Sequence, residues 1–240
     1  MATLSVIIPA YRRHELTTRH VEECLKSTRV PDEIVVVNDG GDPCLRDMLP
    51  RSGNIIYARV EQDINWNYVG AVNLGFWLST GDLISIEDTD HIPDRTAYEN
   101  ALEILKNPEI DRVAFRRKCV RIEELSKPME EWNVLKTWGS NQMNTILRRD
   151  VYLKLKGQDE RFAGNYGWST YDWVNRYRNI LKCKSATTQW GWAVIGDDGE
   201  PGMSRSMSPI NHRIYRENAQ TEHLQHPQGL LNFTYTFERR

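Results

Sequence analysis

Residues 4–9 have the sequence LSVIIP and residues 33–38 the sequence EIVVVN, and each is an apolar run of strand length. Continuous apolar runs are typical of parallel strands, because helices cover both faces of a parallel sheet. Between the two runs, residues 14–28 place apolar side chains at near-helical spacing, and Pro31 follows. The order strand, helix, strand predicts a βαβ unit.

The same alternation continues along the chain. Residues 54–60 (NIIYARV) and 82–87 (DLISIE) predict two further strands, residues 68–80 predict the helix between them, and Pro93 marks the start of another helix. Alternating strands and helices predict an α/β fold with a mostly parallel, twisted sheet flanked by helices. In such a sheet, ligands bind beyond the carboxyl ends of the strands.

The second half of the chain is less regular. Residues 112–122 predict a strand, helices are expected near Asp150 and Asp172, and the last forty residues are polar and hard to assign. No linker, internal repeat or low-complexity tract separates the two halves of the sequence. We therefore predict a single domain, with a nucleotide-binding half over about 1–110 and an acceptor-binding half over about 111–240.

The composition excludes several classes of protein. With 40% hydrophobic and 27% charged residues, the 240-residue chain is typical of a globular protein. A net charge of −2 gives no global attraction to nucleic acid or to an anionic membrane. The sequence contains no apolar run long enough for an ordinary membrane span, and its amino terminus does not resemble a secretory signal. A cytoplasmic location is the resulting expectation, with the four widely spaced cysteines reduced.

Polar groups follow three of the predicted strands, in residues 9–13 (PAYRR), 38–41 (NDGG) and 87–91 (EDTDH). Since the carboxyl ends of parallel strands meet at one edge, we expect the three segments to converge. Taken alone, NDGG is typical of a plain turn, whereas the three carboxylates of EDTDH repel one another unless cations or solvent compensate. Their oxygen atoms suit Mg²⁺ or Mn²⁺, and a solvated loop is the alternative. His91 is expected to pack or hydrogen-bond beside them.

Four segments, in order and at the usual spacing, resemble the family 2 glycosyltransferases with the GT-A fold. They are SVIIPAYRR (5–13), DEIVVVNDGG (32–41), VGAVNLGFWLSTGDLISIEDTDHIP (69–93) and GQDERFAGNYGWSTYDWVNRYR (157–178). The resemblance covers about residues 4–180. It implies transfer of a sugar from a nucleotide-sugar donor to an acceptor hydroxyl with inversion, and UDP is the commonest nucleotide in such enzymes.

The resemblance also implies roles for particular residues. The end of the first strand flanks the nucleotide base, Asp39 hydrogen-bonds the base, and Asp88 and Asp90 form the DxD motif, which lies near the ribose and binds a Mn²⁺ or Mg²⁺ ion. A downstream histidine completes the metal site or the diphosphate clamp in many such enzymes, and His212 is our choice here. The nucleotide-binding residues are then Pro9, Ala10, Tyr11, Arg13, Asp39, Gly70, Asn73, Asp88 and Thr89, and the metal ligands are Asp88, Asp90 and His212.

The sequence departs from the family pattern at two places. Ser169 and Thr170 stand where related enzymes carry an acidic pair, and neither hydroxyl is a competent general base near neutral pH. Asp172 is the nearest carboxylate, and we predict it as the catalytic base that takes the proton from the acceptor hydroxyl. Its alternative role is a favourable charge in the first turn of a helix. Val72 stands where the family often has an arginine beside the nucleotide.

Aromatic residues concentrate in the acceptor half, and about half of them are expected in the core. Trp168 and Tyr171 are predicted to bind the acceptor, because aromatic faces stack on sugar rings. A saccharide is the first acceptor class, ahead of lipid-linked and protein acceptors. Residues 63–67 and the DTDH cluster resemble bacteriophage glycosyltransferases, some of which modify hydroxymethylated bases in DNA. The basic residues within 116–121 would then contact the DNA acceptor.

Two other functions stay open on the sequence alone. A catalytically degenerate protein that binds a sugar nucleotide or a glycan would explain the loss of the acidic pair at Ser169 and Thr170. A nucleotidyltransferase also uses an acidic metal site on an α/β sheet. It should bring a glycine-rich, basic phosphate loop after its first strand, and this sequence has none.

Overall fold

A computed structural model describes residues 2–195, 206–220 and 233–240. Its strands are β1 (Leu4–Ala10), β2 (Glu33–Asp39), β3 (Ile55–Val60), β4 (Leu83–Ile86), β5 (His91–Pro93), β6 (Arg112–Arg121), β7 (Lys136–Trp138), β8 (Thr145–Arg148), β9 (Ser185–Ile195) and β10 (Tyr235–Arg239). Its α-helices are α1 (His14–Leu25), α2 (Leu45–Met48), α3 (Tyr68–Leu78), α4 (Ala97–Leu105), α5 (Arg149–Lys154), α6 (Ser169–Asn175) and α7 (Pro209–Ala219). A π-helical turn, Arg176–Ile180, continues α6, and short 3₁₀ turns occupy Ile122–Ser126, Met129–Glu131 and Glu160–Phe162.

The strands form one mixed sheet in the order β10-β3-β2-β1-β4-β8-β6-β9-β5, with β7 paired to β6. The four strands β3, β2, β1 and β4 are parallel, as the apolar runs predict. The chain extends the sheet from β1 to β3 on one side and then returns to place β4 on the other side of β1. This reversal creates a crevice at the carboxyl ends of β1 and β4, where ligands bind in sheets of this type.

Helices cover both faces of the parallel strands, which explains why those strands are apolar throughout. Along β1, Val6 and Ile8 face one side and pack in the same buried cluster as Val21 of α1. Ile7 faces the other side and packs with Phe76 of α3. The result is a three-layer α/β/α arrangement, which confirms the predicted fold class.

Helix α3 ends two residues earlier than the sequence pattern predicts, at Leu78. The reason is Glu33, whose carboxylate accepts hydrogen bonds from the backbone N–H and the hydroxyl of Thr80 at 2.7 and 2.8 Å. Ser79 is therefore extended, and its hydroxyl donates to the carbonyl of Phe76 at 2.8 Å. A tertiary contact thus overrides the local helical preference.

The polar region after residue 205 contains regular structure that the sequence analysis did not assign. Helix α7 begins after Ser208, whose hydroxyl accepts hydrogen bonds from the N–H groups of Ile210 and Asn211, and Pro209 occupies the first helical position. Strand β10 pairs antiparallel with β3. No helix within the described ranges is long and apolar enough to cross a membrane.

Candidate active site

The carboxyl ends of β1, β2 and β4 meet at the crevice beside β1, as predicted. The hydroxyl of Thr89 donates a 2.7 Å hydrogen bond to the carbonyl of Pro9, which ties the loop after β4 to the end of β1. Ala10 lies beside Asn38 of β2 in the parallel register. Pro9 and Ala10 are buried, and Tyr11 is half-buried with the guanidinium of Arg12 over its ring.

Asp39 ends β2 and lies almost completely buried, with 5% of its surface exposed. Its carboxylate accepts a 2.8 Å hydrogen bond from the side-chain amide of Asn67, the residue before α3. Burial, reinforced by the negative charge of Asp63, raises the pKa of Asp39 to about 7 despite this hydrogen bond. Asp39 is thus a buried acceptor at the position where the resemblance places the nucleotide base.

Two glycines allow this arrangement. Gly40 has φ = +71°, and a Cβ atom there would lie 2.6 Å from the backbone of Asp63, so the turn after β2 requires glycine. Gly70 on α3 packs so tightly that a Cβ atom would lie 2.3 Å from the side-chain oxygen of Asn67. Gly70 therefore leaves the space in which Asn67 reaches Asp39.

Asp88 is held by two asparagines that precede β8. Its carboxylate accepts hydrogen bonds from the side-chain amides of Asn144 at 2.9 Å and Asn141 at 3.2 Å. Its backbone N–H donates to the side-chain oxygen of Asn144 at 2.8 Å. The second half of the chain therefore fixes the first carboxylate of the DTD segment.

Asp90 lies among nitrogen donors. Its carboxylate is 2.6 Å from Nδ1 of His91 and 3.9 Å from the guanidinium of Arg13. Burial works against the charged form, but the hydrogen bond from His91 and the charge of Arg13 together hold the pKa of Asp90 below its ordinary value. The predicted neighbourhood of Arg13 and Asp90 is therefore present.

Asp88, Asp90 and His91 can each offer one ligand atom, and these atoms all lie within 4.8 Å of one another. All three side chains are half-buried at the crevice. The two carboxylates suit Mn²⁺ or Mg²⁺, because these hard ions prefer oxygen ligands, use few of them from the protein and keep positions for phosphate oxygens and water. The residues present fit a divalent cation.

Residues 5–167 match the family model described as glycosyl transferase family 2. The chain belongs to this family. It is also similar to an uncharacterized glycosyltransferase of Rickettsia bellii (strain RML369-C), with 30% identity over 134 residues, which make up 55% of this chain and 19% of the relative. The chain thus spans about a fifth of the length of that relative.

In this family member, His91 and Arg117 extend the acidic site toward β6 and β7. Nη1 of Arg117 donates to Nε2 of His91 at 3.1 Å, so the proton of the neutral imidazole is on Nδ1 and is donated to Asp90. Arg117 follows an irregularity in the pairing of β6 with β9, and its guanidinium lies 5.1 Å from the ring centre of Trp138. Bulges of this kind re-aim side chains beside active sites. No sequence signal placed Arg117 at this site.

Asn73, predicted to contact the nucleotide, uses its side chain within the glycosyltransferase itself. Its oxygen accepts hydrogen bonds from Tyr152 at 2.7 Å and from the backbone of Gln158 at 2.8 Å. Its nitrogen donates to the carbonyl of Gln158 at 3.0 Å and to Glu160 at 2.8 Å. These four hydrogen bonds satisfy the side-chain amide, so in this structure Asn73 anchors the segment after α5 to α3.

The geometry of Asp172, predicted as the catalytic base, favours its structural alternative. The residue is 1% exposed, and its carboxylate accepts hydrogen bonds from Arg176 and Asn218, both at 2.8 Å. Arg176 is equally buried and also donates to the carbonyls of Leu155 and Gly157. A general base must reach the acceptor hydroxyl, whereas both oxygens of Asp172 are engaged inside the protein.

His212 and the two predicted acceptor residues lie together in an aromatic group. The ring centroid of Trp168 lies 4.2 Å from that of His212, 5.3 Å from that of Tyr215 and 5.4 Å from that of Tyr171. Tyr171 is 56% exposed, so its face is open to a ligand. His212 does not join the group of Asp88, Asp90 and His91 that could hold a metal. The structure therefore places His212 beside the predicted acceptor site instead.

Tyr68 connects the aromatic group to the acidic site. Its ring packs in the same cluster as Trp168 and Tyr215. Burial, followed by the negative charge of Asp88, raises the pKa of its hydroxyl. Of the other acceptor-half aromatics, Trp132 and Trp173 are buried in the core, as expected for about half of them.

Proposed function

We propose that this glycosyltransferase uses a divalent cation, Mn²⁺ or Mg²⁺, to transfer a sugar from a nucleotide-sugar donor to an acceptor hydroxyl with inversion. A UDP-sugar is the first donor, and a cytoplasmic location is part of the same proposal. The observation that carries it is the convergence of Asp88, Asp90 and His91, whose ligand atoms lie within 4.8 Å of one another at the crevice of the parallel strands.

The donor would lie across the ends of β1 and β2. Asp39 would accept a hydrogen bond from the nucleotide base, with Tyr11 beside it, and Arg13 would face the diphosphate because its guanidinium already lies 3.9 Å from Asp90. Asp90 and Asp88 would hold the cation, and His91 orients Asp90 through its 2.6 Å hydrogen bond. A bound divalent cation supplies stabilisation of the charge that develops on the leaving diphosphate.

The acceptor would bind on the side of the aromatic group. Trp168 and the exposed Tyr171 offer ring faces that suit a saccharide, and Tyr68 links them to the DTD segment. A hydroxymethylated DNA base is the second acceptor class. Arg116 and Arg121 are exposed on β6 and would contact the phosphates of such an acceptor.

A second candidate function, binding of a sugar nucleotide without transfer, is favoured by one observation. Ser169 and Thr170 replace the usual acidic pair, and Asp172 is buried with both oxygens engaged by Arg176 and Asn218. Transfer therefore needs either a rearrangement that frees Asp172 or a base from another segment. Binding needs neither.

Thermal unfolding tests the donor site without knowledge of the acceptor. The protein is heated with UDP, GDP, CDP, TDP or ADP, each with Mn²⁺ and with a chelator. A ligand at a hundred times its Kd stabilises the fold by about 2.7 kcal/mol, or roughly 5–10 °C for a chain of this size. We expect a shift with one diphosphate that requires Mn²⁺ and is absent in Asp90→Ala. No shift with any diphosphate would contradict the proposed donor site.

Release of the nucleoside diphosphate from a panel of sugar nucleotides then separates the two candidate functions. Transfer to an acceptor, or slow transfer to water, releases the diphosphate, whereas a binding protein retains the donor intact. Metal-dependent release that is lost in Asp90→Ala supports the transferase. Tight binding of the same donor without release supports the second candidate.

A further inference from the structure

A buried polar cluster lies directly beneath the DTD segment and has no part in the function proposed above. It contains His20 and Cys24 of α1, Glu87 after β4, Tyr98 of α4 and Ser85 of β4, and each of these residues is at most 2% exposed. Buried polar groups are costly unless they are hydrogen-bonded, so a cluster of this size calls for a reason.

The imidazole of His20 contacts the DTD loop at two points. Its Nε2 lies 2.7 Å from a carboxylate oxygen of Glu87, the residue that precedes Asp88. Its Nδ1 lies 3.3 Å from the backbone carbonyl of Thr89, the residue between Asp88 and Asp90. One side chain on α1 therefore spans the loop that carries both acidic residues of the proposed metal site.

The hydrogen-bonding capacity of the groups fixes the direction of these contacts. A carbonyl oxygen only accepts, so Nδ1 of His20 donates to Thr89. The short contact between Nε2 and Glu87 then requires one further proton. The pair is either an imidazolium with a carboxylate or a neutral imidazole with a carboxylic acid, and in both cases it has no net charge. Glu87 also accepts hydrogen bonds from Tyr98 at 3.1 Å and from Ser85. Glu87 therefore adds no uncompensated charge beside Asp88 and Asp90.

We propose that His20 is a positioning residue that holds the DTD loop in the shape that binds the metal. Asp88 and Asp90 repel each other before a cation arrives, and the loop between them must resist spreading. The hydroxyl of Thr89 is fixed to Pro9 on one side, and its carbonyl is fixed to His20 on the other. The inference rests on the proposed metal site. In many metal sites, residues outside the coordination sphere orient the ligands through hydrogen bonds, and here His20 of α1 would have this role.

The spacing within the cluster also resembles a metal site, because ligand atoms of His20, Cys24 and Glu87 lie within 4.8 Å of one another. Each of them, however, already has a hydrogen-bond partner. His20 bonds to Glu87, and the thiol of Cys24 lies 3.1 Å from the hydroxyl of Tyr98. The geometry is that of a hydrogen-bonded support, and metal content provides a direct check.

The test compares His20→Gln with Tyr98→Phe in the full chain, using Mn²⁺ and UDP as probes. Glutamine keeps a polar side chain, but its single NH₂ group does not replace two ring nitrogens. Tyr98→Phe removes a buried hydrogen bond to the same Glu87 without touching the loop. Mn²⁺ affinity is measured by electron paramagnetic resonance, UDP affinity at saturating Mn²⁺ by calorimetry, and stability by urea unfolding.

We expect His20→Gln to weaken Mn²⁺ binding by about 10-fold or more, the effect usual for loss of an outer partner of a metal ligand. UDP affinity at saturating Mn²⁺ should change less than twofold, because Asp39 is untouched. Tyr98→Phe should lower stability but leave Mn²⁺ affinity within about threefold of the wild type. If His20→Gln does not fold, the double variant His20→Gln/Glu87→Gln removes the carboxylate that lost its partner, and the same loss of Mn²⁺ affinity is expected.

Three results would overturn the inference. Mn²⁺ affinity could be unchanged in a folded His20 variant, or it could fall equally in Tyr98→Phe, which would assign the effect to general destabilisation. Stoichiometric zinc in chelator-treated wild type that is lost in His20→Gln would replace the hydrogen-bonded support with a buried metal site. Failure of the proposed function has a different signature, because the wild type itself would then show no Mn²⁺-dependent UDP binding.

Discussion

Two regions of the molecule carry aspartates for which the sequence predicts a functional role, and the structure gives them opposite environments. Asp88 and Asp90 lie half-buried at the crevice, where their partners are two asparagines, a histidine and a distant arginine. Asp172 on α6 is fully buried against the guanidinium of Arg176. The negative charge of Asp88 and Asp90 is only partly compensated by neighbouring side chains. The negative charge of Asp172 is compensated by the guanidinium of Arg176.

The difference shows that a sequence motif identifies the type of residue at a position, whereas the burial of its side chain and its hydrogen-bond partners determine its role. The resemblance predicts Asp172 as the catalytic base, yet Arg176, four residues later on the same helix, neutralises it. The environment of Asp39 combines features of both regions. Asp39 is buried like Asp172, but its hydrogen-bond donor is an uncharged amide. These three environments predict different responses to mutation.

The largest effect is expected for Asp172→Ala, because it leaves Arg176 buried and unpaired. Loss of one partner of a buried ion pair costs about 3–5 kcal/mol, measured as the free energy of unfolding in urea. The double variant Asp172→Ala/Arg176→Leu should recover part of this loss, since it removes both charges. Wild-type stability of Asp172→Asn with a hundredfold lower rate of donor turnover would contradict the structural role of Asp172, because Asp172 would then be the base.

Asp39→Asn is expected to stabilise the protein at alkaline pH. The pKa of Asp39 is about 7 when folded and near 3.8 when unfolded, so the folded state retains a proton that the unfolded state releases. This contribution is complete below about pH 4 and is lost as the pH rises through 7, at a cost of roughly 4 kcal/mol by pH 8. Asparagine carries no charge, so the gain over wild type should appear at pH 8 and vanish at pH 4.

Asp90→Ala should remove the Mn²⁺-dependent stabilisation by nucleoside diphosphate, about 2.7 kcal/mol at a hundred times the wild-type Kd. The stability of the ligand-free protein should change little, because Asp90 is half-buried at an open crevice. Asp94→Ala is the matched control, since Asp94 is a nearby acid outside the group of possible metal ligands. Equal loss of the Mn²⁺ effect in both variants would contradict the assignment of Asp90.

Tyr171→Ala is expected to have the smallest effect on stability, below about 0.5 kcal/mol, because its side chain is largely exposed. If Tyr171 stacks on the acceptor, the KM for the acceptor should rise several-fold while Mn²⁺-dependent UDP binding is unchanged. Steady-state kinetics with the acceptor found by screening checks both values. An unchanged acceptor KM would remove Tyr171 from the acceptor site.

The parallel part of the fold could be predicted because its signal is local. Strands β1 to β4 are continuous apolar runs, and the polar segments after them were expected at one edge, where the structure places them. The ends of the elements were less predictable, as the early end of α3 shows, because Glu33 is remote in sequence. The antiparallel pairing of β8 with β4 had no sequence signal of its own.

The roles of single residues were harder to predict, for identifiable reasons. The i, i+4 spacing of Asp172 and Arg176 was visible and could have indicated an ion pair on the helix. Ser208 and Pro209 are a helix-start signal that could have placed His212 on α7. His20 and Arg117 had no such signal, because their contacts with Glu87 and His91 depend on how distant elements pack.

The order of the sheet has a consequence for how the enzyme is made. Within the described residues, β10 covers the outer side of β3, and β5 lies against β9, so each half of the chain completes the sheet of the other. When only the first 110 residues have been synthesised, the nascent chain lacks both this cover and the asparagines that hold Asp88. The crevice at the ends of β1 and β4 can therefore be completed only after the second half of the chain has been synthesised, and a gene cut between the halves would encode two incomplete pieces.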